Sequence, residues 1–360
     1  MNINCIPPAS LIDKDIIETL CHSPESSHDQ FHAFFRFYCN TLCADLFPTG
    51  TLTNSFTHPL ASSIDVIKAI SILRSQCGTS KETLIGQLFP DIPKDKQEQS
   101  LRTLVKVAFM LDTASYKSFS DDFQLRFGDT FPVNWKDDQS LVDFIQATFA
   151  PSVYRATETH NKLKAWKLKK RHGVSIVPTN DLIQHLLYDP RSRTLTVFHQ
   201  VAWLKAQLRY AAECSGIVTD KEYIERGILP PRILRETLYS IYRILFPLDE
   251  KSAKFTRQLV NEQNGRFDDS LMLDPGIIHP MSEPFELAFW GKRLRRLEDV
   301  VAHPPPTNTL ISWIERHTSE RNALTVAIAG LFFAALFGLL SVMVGVAQLI
   351  LSYYAWKYPT

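Results

Sequence analysis

The run Ala323-Leu-Thr-Val-Ala-Ile-Ala-Gly-Leu-Phe-Phe-Ala-Ala-Leu-Phe-Gly-Leu-Leu-Ser-Val-Met-Val-Gly-Val-Ala-Gln-Leu-Ile-Leu351 decides how this chain is read. No charged residue occurs from Ala323 to Trp356. As a helix the run is about 43 Å long, against a hydrocarbon core of about 30 Å, so it crosses a bilayer once with tilt and is too short to cross twice. Sixteen Leu, Ile, Phe and Val residues lie between 324 and 351. At roughly −0.4 kcal/mol each they favour insertion by at most about 6 kcal/mol. Tyr353, Tyr354, Trp356 and Tyr358 follow as an aromatic belt of the kind that sits among lipid headgroups.

Working outward, Lys292, Arg293, Arg295, Arg296, Arg316 and Arg321 precede the span and Lys357 alone follows it. By the positive-inside rule, the sequence before the span stays in the cytosol. Because few residues follow the span, the expected arrangement is a single-pass, tail-anchored protein inserted after translation. An endomembrane is the expected location, the endoplasmic reticulum foremost. The N-terminus lacks a basic region followed by an apolar run, and there is no Asn-x-Ser/Thr site. Within the span, Ala327, Gly330, Ala334, Gly338, Ser341, Gly345, Gln348 and Ser352 recur every three or four residues. Such a stripe lets two helix backbones approach and lets a Gln hydrogen-bond across the interface, so homo- or hetero-association through this face is expected.

Ahead of the span, Leu287, Trp290, Leu294, Leu297 and Val301 fall on one helical face, while Lys292, Arg293, Arg295 and Arg296 make the other faces basic. A basic amphipathic helix over 282–303 can lie on an anionic membrane surface or dock onto the body. The membrane surface is taken here as the expectation, with docking as the alternative. Pro304, Pro305 and Pro306 end that helix, and 304–322 reads as a linker.

The rest has ordinary globular composition, and 39 Lys and Arg against 38 Asp and Glu leave a formal charge of +1. No whole-molecule field therefore points to nucleic acid. Apolar residues three or four apart predict helices over 28–46, 62–76 and 97–111, with a capping box at Thr79 and Glu82 opening 80–88. The stretch 113–150 is less regular. A basic helix carrying Lys162, Lys164, Lys167, Lys169, Lys170 and Arg171 stops at Gly173, and its cations suit either a helix C-terminus or an anionic partner. Val174 to Val177 has strand composition, and 186–188 with 194–198 flank Asp189-Pro-Arg-Ser-Arg193 as a hairpin. Helices return over 200–213, 232–246 and 249–263. The expected fold is thus mainly α with a small β hairpin element, plus one C-terminal transmembrane helix. Its expected divisions are a helical part over 1–150, a helical part with the hairpin over 151–275, the helix 282–303, the linker, the span 323–351 and a short tail 352–360.

No GxG, GxSxG or P-loop occurs, and no His is followed by Glu, which excludes the common nucleotide, hydrolase and zinc-protease signatures. Adjacent acids at Asp121-Asp122, Asp137-Asp138, Asp268-Asp269 and Glu298-Asp299 read as solvated or capping. Asp274 and His279 share a turn-forming Pro/Gly segment. The Cys39 and Cys43 pair reads as helix packing, with the thiols reduced. Neither cofactor nor metal is expected, and no catalytic residue can be named.

Phe289-Trp290-Gly291-Lys-Arg-Leu, Leu297, the Pro304–Pro306 break, Trp313 and Ser319-Glu-Arg-Asn resemble a family of uncharacterised filamentous-fungal proteins with a single C-terminal span. The resemblance supports the topology and implies no activity. The expected function is binding or scaffolding of other proteins at an endomembrane. One alternative is a membrane-tethered enzyme without a recognisable motif. The other, a membrane-tethered DNA-binding regulator, has only Arg102 and Lys106 as basic residues on its would-be recognition helix 97–111.

Overall fold

The computed structural model describes residues 14–22, 28–46, 60, 63–118, 132–152, 162–214, 216–217, 219–262, 267–273, 287–303 and 323–357. The chain divides into two compact units, Met1–Ala302 and His303–Thr360. Among the described residues the architecture is helix-dominated with one small sheet, as the periodicity predicts.

The body opens with α1 (Lys14–Cys21), α2 (His32–Leu46), α3 (Ser63–Ser75), α4 (Lys81–Leu88) and α5 (Lys94–Phe109). Ser80 caps α4, its hydroxyl accepting from the Thr83 amide, while Thr79 donates instead to the Gln76 carbonyl. The N-cap is therefore Ser80, one residue later than the capping box predicted from Thr79 and Glu82. Helix α6 (Leu141–Thr148) lies inside the less regular stretch 113–150. Ser140 caps it, accepting from the Asp143 amide, and pairs with Ser80 in an isolated bridge that ties the starts of α4 and α6 together.

Helix α7 (Ala165–His172) ends at Gly173, whose φ of 64° is the left-handed conformation that glycine adopts without a Cβ clash. Strand β1 (Ser175–Thr179) follows, then β2 (Tyr188–Asp189) and β3 (Thr194–Phe198). The hairpin pairs β2 with β3 as expected, and the Asp189 carboxylate accepts from the Arg191 and Ser192 amides to hold the turn. In addition β1 pairs with β3 in parallel, making β3 the central strand.

Helices α8 (Val201–Glu213), α9 (Asp220–Glu225) and α10 (Pro231–Tyr239) come next, and α10 runs into a π-helical turn, Ser240–Leu245. After α11 (Glu250–Glu262) comes α12 (Gly291–Ala302). One hydrophobic core runs from Ile16 to Leu297, drawing on helices from both sides of residue 150 and on the sheet. The expected division at 150 thus does not correspond to a boundary between compact units.

Helix α12 corrects the expectation of a membrane-surface helix. Leu287, Trp290, Leu294 and Leu297 are fully or almost fully buried, and Val301 packs against the same core. The apolar stripe is consumed inside the protein, so it is not free to enter lipid. Buried hydrogen bonds add to the apolar packing. The Glu236 carboxylate accepts from the Ala288 and Phe289 amides at 2.8 Å each, Trp290 donates its indole N–H to Thr237 Oγ1, and Arg293 donates to the Ile183 and His185 carbonyls at 2.6 Å. Arg293 is itself buried, whereas Lys292 and Arg295 are exposed and Arg296 is half-buried.

The second unit contains α13 (Ala323–Lys357), which extends six residues beyond the predicted 351 and takes up most of the expected tail. Its segment Gly330–Tyr353 has a mean hydropathy of 2.3 and none of it is buried, which is compatible with a membrane span. The linker 304–322 and the flank residues Arg316 and Arg321 lie outside the described residues, as do residues 358–360.

Candidate ligand-binding cleft

Two adjoining cavities of about 330 and 320 Å³ share Phe37, Asn40 and Asn180 and form one polar cleft in the body. Helix α2 supplies Arg36 and Asn40, four residues apart and so on one face, and Thr41 next to Asn40. The end of α5 supplies Lys106, Met110 and Asp112, the end of β1 supplies Thr179, Asn180 and Asp181, and the end of β3 leads to His199 and Gln200. Thr179 pairs with Phe198, so the carboxyl ends of two parallel strands stop side by side at the cleft. Ligands favour this position in parallel sheets, because no strand continues there to fill the space.

Backbone geometry brings the walls together. Met110 closes α5 at φ 55°, an uncommon conformation for a non-glycine residue, and its carbonyl accepts from the Leu182 amide at 2.8 Å. That turn presents Asp112, whose carboxylate takes both Nε (2.6 Å) and Nη2 (2.8 Å) of Arg102 and lies 3.1 Å from Lys106 Nζ. Burial raises the Asp112 pKa, but these cations and the Ala114 amide outweigh it and hold the carboxyl below its usual range. Asp181 is deeper. Its carboxylate accepts from the Asp112 and Ile183 amides and from the Ser115 hydroxyl, yet burial still pushes its pKa up to about 6.

Opposite these acids, His199 Nδ1 accepts the Asp268 amide at 3.0 Å, and burial, reinforced by Arg36, lowers its pKa to about 3. The imidazole is therefore neutral, with its proton on Nε2. Gln200 donates to Asn180 Oδ1 at 2.6 Å and to the Ala33 carbonyl, locking the two polar residues beyond the strand ends to each other and to α2. Arg36, half-buried in the wall, makes no ion pair among the described residues.

The arrangement suits recognition better than proton transfer. Asp181 already serves three donors, and His199 spends its acceptor nitrogen on a backbone amide. A second His pair has the look of a catalytic dyad and lacks its chemistry. His185 Nε2 lies 2.7 Å from Ser240 Oγ, but His185 Nδ1 accepts the Phe198 amide. The ring proton is thus on Nε2, pointing at Ser240, and that hydroxyl donates onward to the Thr237 carbonyl. An imidazole in this tautomer cannot take the serine proton.

Of the cleft residues, only Lys106 was singled out in the sequence, and then as a basic residue of helix 97–111 rather than as part of a cleft. Its members lie up to 167 positions apart, from Ala33 to Gln200, and the one local signal was a polar pair just past each strand, Asn180-Asp181 and His199-Gln200. The span residues Gly330, Ala334, Gly338, Ser341, Gly345, Gln348 and Ser352 lie on α13, all exposed, and a Cβ added at Gly330, Gly338 or Gly345 would meet nothing within 4 Å. Ala327 belongs to the same helix, but its side chain is outside the described set. Of the paired acids, Asp137 binds Lys81 at 2.9 Å and Asp268 caps a short 3-10 turn. Asp121, Asp122, Asp274 and His279 lie outside the described residues, as does the side chain of Cys43. Among the described residues no cluster of three or more His, Cys, Asp or Glu is placed to hold a metal. Compared with known protein families, curated proteins and solved structures, the chain matches none.

Proposed function

We propose that this chain is a single-pass membrane protein, anchored by α13 at an endomembrane, whose cytosolic helical body binds partner proteins through the polar cleft. The observation that carries the anchor is the segment Gly330–Tyr353, uncharged and without a buried position. So many apolar side chains exposed to water have no compensation among the described residues, and lipid supplies it. The charge asymmetry that supports a cytosolic body rests on Arg316 and Arg321 against Lys357, because Lys292 to Arg296 belong to α12, too far from the span to weigh in its orientation. Membership of the filamentous-fungal group, and pairing through the small-residue face of α13, belong to the same reading.

For the cleft, Arg36, which makes no ion pair among the described residues, favours an acidic segment of a partner, with the exposed Asn40 beside it for hydrogen bonds. A membrane-tethered enzyme is the second reading, favoured by Asp181 and His199 at the same cleft, and opposed because Asp181 already accepts from three donors and the acceptor nitrogen of His199 is spent on a backbone amide. A DNA-binding regulator is disfavoured, since Arg102 and Lys106 are both drawn to Asp112. The test is proximity labelling from the N-terminus of the full chain, comparing the parent with Arg36→Glu. Loss of a subset of labelled proteins in the variant is expected. An identical labelled set contradicts binding through the cleft.

A further inference from the structure

The basic helix α7 does not stand alone. Lys164 Nζ lies 2.8 Å from Asp249, Lys251 sits 5.7 Å from the Trp166 ring and Lys169 sits 5.6 Å from the Phe255 ring, so the start of α11 lies across α7. Lys169, Lys170, Arg171, Lys251 and Lys254 are all exposed, with Lys167 half-buried beside them. The helix dipole alone accounts poorly for this density. It amounts to about half a charge at a helix C-terminus, whereas the last turn of α7 carries Lys169, Lys170, Arg171 and His172. The crowding is felt within the cluster. Burial and then the neighbouring Lys164, Arg171 and Lys251 lower the Lys167 pKa, with Asp249 opposing them.

We propose that this cationic face, formed by α7 and the start of α11, docks against anionic lipid headgroups of the membrane that holds the chain's own anchor. Charge complementarity selects the occupant. Each Lys or Arg near an anionic surface adds attraction that a Debye length of water would otherwise screen, and an anchored body meets that surface at high effective concentration. The half-buried indole of Trp166, flanked by Lys167 at 5.6 Å and by Lys251, is of the type enriched at the headgroup level. The lipid-facing role expected of 282–303 thus passes to a different helix.

The proposal rests on the anchored reading, and the test separates the two. Full-length protein is reconstituted into vesicles of phosphatidylcholine, with or without phosphatidylserine, floated, and labelled with an amine-reactive reagent for peptide mass spectrometry. Phosphatidylserine is expected to protect Lys169, Lys170, Lys251 and Lys254 about fivefold at low salt and not at high salt, leaving Lys68 and Lys136 unchanged. Equal labelling in both vesicles overturns the proposal while the anchor stands. Protection by added duplex DNA, and none by phosphatidylserine, overturns it in favour of nucleic acid. Failure to float with either vesicle overturns the anchor, and this inference with it.

Discussion

Glu236 shows how a single side chain fixes a much longer piece of chain. Fully buried, it accepts two amides of the segment that leads into α12, with Arg232 at 3.3 Å as its partly exposed counter-ion. Glu236→Ala leaves those amides buried and unpaired, so we expect a loss on the order of 3 kcal/mol in urea unfolding of the detergent-solubilised chain. Glu236→Gln, which retains one acceptor oxygen, should lose less. The buried histidines set the acid limit. His199 is lowered to about 3 and His185 well below 6.5, so below pH 6.5 the unfolded chain binds protons that the folded chain refuses. Their contribution is complete above pH 6.5 and is lost as pH falls toward the folded values, at about 1.4 kcal/mol per pH unit for each group. Asp181 acts with the opposite sign between about pH 4 and 6, because its raised pKa makes the folded state the better proton binder there. His199→Asn keeps an acceptor for the Asp268 amide and removes the titration. Its stability profile between pH 6.5 and 4 should be flatter than that of the parent; parallel profiles contradict the assignment.

At the scale of elements, the sequence disclosed periodic, solitary features and hid those made by distant partners. The helix spacing from Phe31 to Leu42, the stop at Gly173 and the Asp189-Pro turn were legible because each depends on neighbours within one or two turns. Helix α6 was missed although Ser140 and Asp143 stand three apart, the same cap-to-first-turn spacing that Ser80 and Thr83 show at α4. The parallel pairing of β1 with β3 was missed as well, since nothing in either strand names its partner. For α12, periodicity identified the stripe but could not identify what covers it; Glu236 and Thr237, more than fifty positions earlier, decided that. The cleft was illegible for the same reason, being an assembly of four chain segments. The small-residue face of α13 remains a local pattern open to local test. Gly338→Ile with Gly345→Ile should abolish self-association in a membrane reporter assay if two copies pair there, because the added branches hold the backbones apart.

For the whole molecule, the described residues of the body hide most of their large apolar side chains, whereas α13 exposes its own. The large exposed apolar side chains described in the body are few, such as Ile64, Leu248 and Leu273, whereas those of α13 run from Leu331 to Trp356. The burial of the body's apolar side chains and the exposure of those of α13 therefore have separate physical origins, and either can be altered without the other. Phe337→Arg with Leu340→Arg adds about 5 to 7 kcal/mol to insertion, enough to cancel the favourable term. The double variant should remain folded and move to the cytosolic fraction. The most direct measurement is alkaline carbonate extraction of membranes from cells expressing the full-length chain, followed by sedimentation. The parent protein is predicted to stay in the membrane pellet with integral markers, and its release into the supernatant with peripheral proteins would contradict the account.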